Sequence, residues 1–288
     1  LSACMWMRKS AIIPVLLLCS TGLTAEQEVT IRVLANQPSG TLRPIWRFFG
    51  YDEANYTYSD DGREMLTRIA DLCDQPSYIR SHHLLTSGNG ETWLKWSTTG
   101  VYQEDSEGHP IYDWTILDRI FDTLHQRGLR PLVEIGFMPR ALTTHPEGYT
   151  PRRVMQGKPQ DAVGGGAFYP PKDYVKWEAL VEAWARHCVD RYGRQEVETW
   201  LWEVWNEPNI RFWQGTPDEY LQLYDHATAA VKRIVPRARV GGPHVTNPTS
   251  SGSEAFLRKF LNHCRSGTNY ATGAKSSPLD FVAFHAKG

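Results

Sequence analysis

Apolar residues recur along the chain in two alternating rhythms. Ile45 to Phe49 reads as a short aromatic strand running into Gly50-Tyr51-Asp52-Glu53. The text from Asp61 to Cys73 places Met65, Leu66, Ile69 and Leu72 on one helical face. Tyr78 to Arg80 is a second strand, ending at Ser81-His82-His83, and a long insert rich in Gly, Ser and Thr follows it. Residues 113–128 then carry Ile116, Leu117, Ile120, Phe121 and Leu124 at helical spacing, with Gly128 as the stop. Residues 129–137 form a third strand, and a Gly- and Pro-rich connection over 138–171 leads to a helix bearing Trp177, Leu180, Val181, Trp184 and Cys188, closed by Gly193. The fourth strand, Trp200 to Trp205, runs into Asn206, Glu207 and Pro208. Thr216, Pro217 and Glu219 read as a capping box opening a helix that lasts to Pro236. A fifth strand at 238–243, a helix from Glu254 to Arg265 and a sixth strand at 280–288 complete the series.

Short apolar strands that alternate with long amphipathic helices indicate a parallel sheet. A doubly wound sheet calls for a glycine-rich phosphate turn after its first strand, and Phe48-Phe49-Gly50-Tyr51 is not one. A (β/α)8 (TIM) barrel instead collects polar chemistry at the C-terminal ends of many strands. Tyr51 and Asp52, His82, Asn206 and Glu207, His244 and His285 have that distribution. The reading is an α/β fold, an incomplete barrel with about six strands present and strands seven and eight missing.

Three segments follow from this reading: a leader over 1–25, an N-terminal extension over 26–44, and a partial barrel over 45–288. Met7, Arg8 and Lys9 precede the apolar run Ala11–Leu18, and Ala25 offers a small residue before a cut. The run is too short to span a bilayer, and bulky Leu18 disfavours a lipid attachment at Cys19. The expected location is secreted or periplasmic, with no membrane span in the mature chain. Cys4 and Cys19 fall in or before the leader; Cys73, Cys188 and Cys264 have no zinc-finger spacing and read as buried thiols.

With 288 residues, 41% hydrophobic and 22% charged, the chain can bury a large core, and its formal net charge of −1 gives no support for a nucleic-acid partner. The excess of 11 Trp, 13 Tyr and 10 Phe points toward a carbohydrate partner, because aromatic faces stack on the apolar faces of sugar rings. A carboxyl at a barrel mouth, walled by Trp202, Trp205 or Trp213, would lose hydration, and Glu207 would then gain the raised pKa of a general acid. Asn206 beside it can hold a substrate hydroxyl, and Pro208 fixes the backbone there. The plain alternative is that Glu207 caps the next turn and Asn206 makes a local Asx contact.

Trp202–Asn209, with residues 43–53, 131–139, 212–217, 240–244 and 280–288 in order, resembles glycoside hydrolase family 39, whose members include β-xylosidases and α-L-iduronidases. The resemblance runs from about residue 42 to the end. It implies a retaining O-glycosidase mechanism with two carboxylates about 5 to 5.5 Å apart and no cofactor. Glu207 matches the general acid/base, Asn206 the contact to the sugar 2-hydroxyl, and His82 and His285 the histidines of the sugar subsite. His244, Tyr51 and Trp213 complete the expected substrate-binding set, while Arg80, His83 and Glu134 read as packing or supporting groups. The family's nucleophilic glutamate follows a seventh strand, so the chain reads as an amino-terminal portion, inactive alone. The leading substrate is a β-xyloside; for a uronic acid, Lys287 or Arg140 could supply a cation. A sugar-binding barrel without catalysis, or a metal hydrolase using His82, His83, His244 and His285, are the competing readings.

Overall fold

The computed structural model describes residues 29–37, 39–41, 44–92, 96, 98–149 and 165–286. The leader segment, Cys4, Cys19 and Lys287 lie outside the described residues. By contacts the chain divides into Leu1–Arg43 and Pro44–Gly288. In the first unit Val29, Ile31 and Val33 are exposed, and Gln37 N–H donates to the Leu34 carbonyl at 3.0 Å.

The second unit contains the elements β1 (Phe48–Tyr51), α1 (Asp60–Ala70), β2 (Tyr78–Ser81), β3 (Tyr102–Glu104), β4 (Pro110–Tyr112), α2 (Thr115–His125) and β5 (Arg130–Ile135). They are followed by α3 (Tyr174–Tyr192), α4 (Arg194–Val197), β6 (Leu201–Val204), α5 (Pro217–Ile234), β7 (Arg239–Val245), α6 (Ser251–Ser266) and β8 (Phe281–Phe284). One six-stranded sheet runs β1-β2-β5-β6-β7-β8, with every neighbouring pair parallel. Its strands follow chain order with a helical crossover between each pair, which is the wall of an incomplete (β/α)8 barrel.

Burial explains the strand sequences. β2 and β6 are buried at every position, so Arg80 and Glu203, the charged residues in their otherwise largely apolar text, are buried with them. β1 and β8 pair on one side only among the described residues, and Phe48, Val282 and Phe284 stand exposed there. α3 and α5 pack on one another behind the sheet, joined by the Trp177 indole N–H donating to the Leu223 carbonyl at 3.1 Å. Trp184 and Trp200 fill the space between these helices, α2 and the sheet, with Phe121 in contact with both.

The capping box forms as its sequence requires: Glu219 N–H donates to Thr216 Oγ1 at 3.2 Å, and Thr216 N–H to Glu219 Oε2 at 2.6 Å. Gly128, at φ +67°, closes the turn after α2, where any other residue would be strained. The elements depart from the sequence expectation in several places. The first strand begins at Phe48, because β2 starts at its partner Tyr78 and offers nothing for Ile45 and Trp46 to pair with; both lie exposed in a turn. Helix α1 stops at Ala70, leaving Leu72 exposed and Cys73 half-buried beyond it. The insert after β2 contains the antiparallel hairpin β3–β4, whose three-residue strands are too short to leave a periodic signal. Cys188 and Cys264 are buried free thiols. No helix among the described residues is long and apolar enough to cross a membrane.

Candidate active site at the strand ends

The apolar run of β6 ends in an abrupt change of backbone. Trp205 and Glu207 both take left-handed φ, +71° and +48°. Ile210 N–H donates to the Glu207 carbonyl at 3.2 Å, closing a turn with Pro208 in its second position, where a fixed φ is favourable. Asn209 ties this turn down. Its amide nitrogen donates to Thr246 Oγ1 at 2.7 Å and Ser253 Oγ at 2.8 Å, and its oxygen accepts from Thr246 N–H at 3.1 Å. The Trp205 indole N–H adds a bond to the Phe212 carbonyl at 2.8 Å.

Beneath this turn lies a charged network centred on Arg80 of β2. The register sets Glu134 of β5 beside Glu203 of β6, two buried carboxylates on adjacent strands. Arg80 Nε donates to Glu203 Oε2 at 2.6 Å, one terminal nitrogen donates to Asn206 Oδ1 at 3.0 Å, and the other lies 2.7 Å from His82 Nε2. The nitrogen that serves Asn206 is also 3.0 Å from Glu134 Oε2, but neither Glu134 oxygen has a well-aligned hydrogen bond.

The two carboxylates therefore differ. Burial opposes ionisation of Glu203, yet Arg80 and His244 outweigh it and hold the group down at about 2. Glu134, completely buried and with the weaker share of Arg80, is pushed up to about 8 by burial, against the pull of Arg80 and with Glu203 adding to the rise. Glu203 is the anion and Glu134 keeps its proton at neutral pH. Burial, then Arg80, lowers His82 well below the ordinary imidazole range, so its ring is neutral. Since a guanidinium only donates, His82 Nε2 accepts and its proton sits on Nδ1, 3.2 Å from Glu134 Oε2.

On the β7 and β8 side, His244 Nδ1 lies 2.6 Å from Glu203 Oε1, and burial lowers its pKa. The His244 ring meets His285 edge to face at 4.2 Å between centroids. His285 Nδ1 is 2.7 Å from Glu207 Oε1, and Glu207 N–H donates to the His244 carbonyl at 2.9 Å.

Asp52, His82, His83, Trp96, Phe137, Asn206, Glu207, Phe212 and His285 line a cleft of about 330 Å³ at these strand ends. Four residues expected from sequence, Glu207, Asn206, His82 and His285, thus share one cleft. The Glu207 side chain faces His285, and the Asn206 oxygen serves Arg80. His244 lies behind the lining, between Glu203 and His285. Tyr51 and Trp213 do not line the cleft. The Tyr51 hydroxyl is 2.5 Å from Thr57 Oγ1, and burial pushes it up to about 12. Trp213 is buried against Trp205 and Tyr220, with its indole N–H on the Thr216 carbonyl at 2.9 Å. The aromatic walls are Trp96 and Phe212, which sit in loops without periodicity and gave no sequence signal, and Phe137, read as the end of the third strand but lying just past β5. Arg80 and Glu203 were underrated, although charged residues within buried-strand text were the signal that could have found them. Among the described residues no three His, Cys, Asp or Glu side chains are arranged to hold a metal ion.

Comparison with known proteins bears on the fold and the family of the chain. A β-xylosidase of Geobacillus stearothermophilus is 37% identical over 214 residues, covering 73% of this chain and 36% of that protein. The α-L-iduronidase of Mus musculus is 28% identical over 276 residues, covering 92% of this chain and 38% of that protein. A solved structure of a monomeric β-xylosidase from Caulobacter crescentus CB15 superposes with a TM-score of 0.61 at 30% identity, covering 83% of this chain and 41% of that one. The chain thus spans less than half the length of each. Residues 29–288 match the family model described as Glycosyl hydrolases family 39, and the chain belongs to that family.

Proposed function

We propose that the whole protein is a retaining O-glycoside hydrolase of β-xylosidase type, with Glu207 as general acid/base. The observation that carries this reading is the Glu207–His285 pair, at 2.7 Å, in an aromatic-walled cleft shared with Asn206. Glu207 gives its proton to the departing glycosidic oxygen, then takes one from the water that releases the sugar. A second carboxylate forms the covalent glycosyl intermediate. Asn206 has its oxygen committed to Arg80, so its amide N–H groups remain to donate to a sugar hydroxyl. Trp96, Phe137 and Phe212 give the ring an apolar wall. His82, with both ring nitrogens turned to Arg80 and Glu134, lines the cleft with its neutral ring, and His244 supports His285 from behind. Tyr51 and Trp213 act on the cleft only through packing. The Met7–Ala25 pattern supports export, to the periplasm or outside the cell.

The test replaces Glu207 by Ala in the whole enzyme and compares aryl xylosides with good and poor leaving groups. Turnover of the poor leaving group should collapse, while the activated one is affected far less, because only the former needs full protonation. Equal losses on both would refute the acid role.

A further inference from the structure

The loops that build the catalytic cleft continue past it. After β2 the chain passes from His82 and His83 in the cleft to Ser87 and Gly88; after β5 it passes from Phe137 to Arg140 and Ala141. The two segments run side by side, joined by Leu85 N–H on the Gly136 carbonyl at 2.9 Å and Arg140 N–H on Ser87 Oγ at 2.9 Å. At their far end lies a second cleft of about 470 Å³, lined by Ser87, Gly88, Gly100, Gln103, Glu104 and Arg140 among others. Arg140 lies three positions after Phe137, so the two clefts are at most about 11 Å apart along this loop, within reach of a short oligosaccharide.

Two glycines of its lining, Gly88 and Gly100, pack closely against neighbouring residues. A Cβ on Gly100, at φ +67°, would meet the Gly88 carbonyl oxygen at 2.6 Å, and one on Gly88 would meet the Thr98 side chain at 2.3 Å. Charge is arranged on its walls. The Glu104 carboxylate accepts from Lys172 at 2.6 Å, Lys176 at 2.8 Å and the Tyr102 hydroxyl at 2.9 Å. Burial opposes its ionisation, but these partners hold it down at about 2, so its charge is already compensated. Arg140 is anchored through its backbone, and its exposed guanidinium has no carboxylate partner among the described residues.

We propose that this second cleft is a subsite for a carboxylate-bearing sugar, a uronate unit in the leaving-group part of the substrate, and that Arg140 reads its charge. The inference rests on the glycosidase reading above and names a feature of its substrate. A planar guanidinium presents paired donors that match a carboxylate, whereas a neutral sugar gains nothing from that fork.

Calorimetry on the whole protein carrying Glu207→Gln, which does not consume the ligand, tests it directly. The probes are xylosyl-glucuronic acid, with its carboxylate on the leaving-group side, and xylosyl-glucose, close in size and different in charge. The acidic disaccharide should bind about 10- to 100-fold more tightly, the range of a hydrogen bond to a charged group. Adding Arg140→Ala should erase that advantage and leave xylosyl-glucose binding unchanged, and Arg140→Lys should restore only part of it. In enzyme with Glu207 intact, Arg140→Ala should leave kcat/KM for an aryl xyloside unaltered. Equal binding of the two disaccharides, or an equal loss for both in Arg140→Ala, would overturn the subsite. Displacement of the acidic disaccharide by equimolar inorganic sulfate would also overturn it, by showing a general anion site. Failure of the unmodified enzyme to cleave any aryl xyloside would instead count against the glycosidase reading, and the binding comparison would stand apart from it.

Discussion

Replacing Glu134 by Gln should stabilise the protein at neutral pH, although it removes a buried acid 3.0 Å from an arginine. Glu134 carries its proton when folded, with a pKa raised from 4.5 to about 8, and releases it on unfolding at any pH above 4.5. Between pH 4.5 and 8 the unfolded chain binds fewer protons than the folded one, so stability falls as pH rises through that window. From pH 4.5 to 7 the loss is about 1.4 kcal/mol per pH unit, or about 3 kcal/mol in all. Glu203 has the opposite sign: its depressed pKa stabilises fully above 4.5 and loses that only toward 2, adding no slope in this range. His82 and His244 titrate in both proteins and largely cancel from a difference. The assay is urea unfolding of the whole enzyme followed by tryptophan fluorescence, for parent and Glu134→Gln, at pH 4.5, 6 and 7. Any pH-independent packing change from the amide is a constant offset. The variant should gain about 3 kcal/mol on its parent between the first and last pH. A flat difference would mean that Glu134 is ionised in the folded protein, with Arg80 fully compensating two carboxylates.

Two further outcomes follow from the site. Asn206→Ala should lower kcat more than it weakens ground-state binding, and a 2-deoxy substrate should feel the change much less; a pure rise in KM would reduce Asn206 to a binding group. Asn209→Ala removes three hydrogen bonds that hold the catalytic turn, and should cost about 2 kcal/mol of stability by urea titration while lowering kcat through a misplaced Glu207. Unchanged kcat would show that Pro208 and Trp205 hold the turn without it.

The barrel wall was legible because its strands are buried on both faces and its helices on one, which leaves two distinct periods in the text. The capping box at Thr216 and the stop at Gly128 were legible for the same local reason. The charge network was not. Arg80, Glu134 and Glu203 each look like one intrusion in an apolar strand, and only the register brings them together: Glu134 opposite Glu203, with Arg80 one strand away. Trp213 shows the converse error. Proximity to Glu207 in sequence suggested a cleft wall, but the turn at 207–210 folds the chain back and the indole enters the core. Loop aromatics such as Trp96 and Phe212 reach the cleft through tertiary packing that no local pattern encodes.

The backbone at the strand ends explains how Asn206 and Glu207 come to face one cleft. In a regular strand successive side chains point to opposite faces, so these neighbours could not both face the same cleft. Left-handed φ at Trp205 and Glu207 breaks the alternation, and Asn206 and Glu207 both line the cleft. His83 and His244, at +62° and +54°, show the same departure beyond β2 and within β7. Each such residue costs about 1 to 2 kcal/mol relative to ordinary backbone. The compensation is local and specific: His83 stacks on Trp96, His244 bonds Glu203, and Glu207 is held by His244 through its backbone and by His285 through its side chain. Packing alone gives no reason to place four strained residues along one rim of the sheet. A requirement that adjacent side chains converge on a single sugar does, which is why the strain itself supports the assignment of this rim as the reacting end of the barrel.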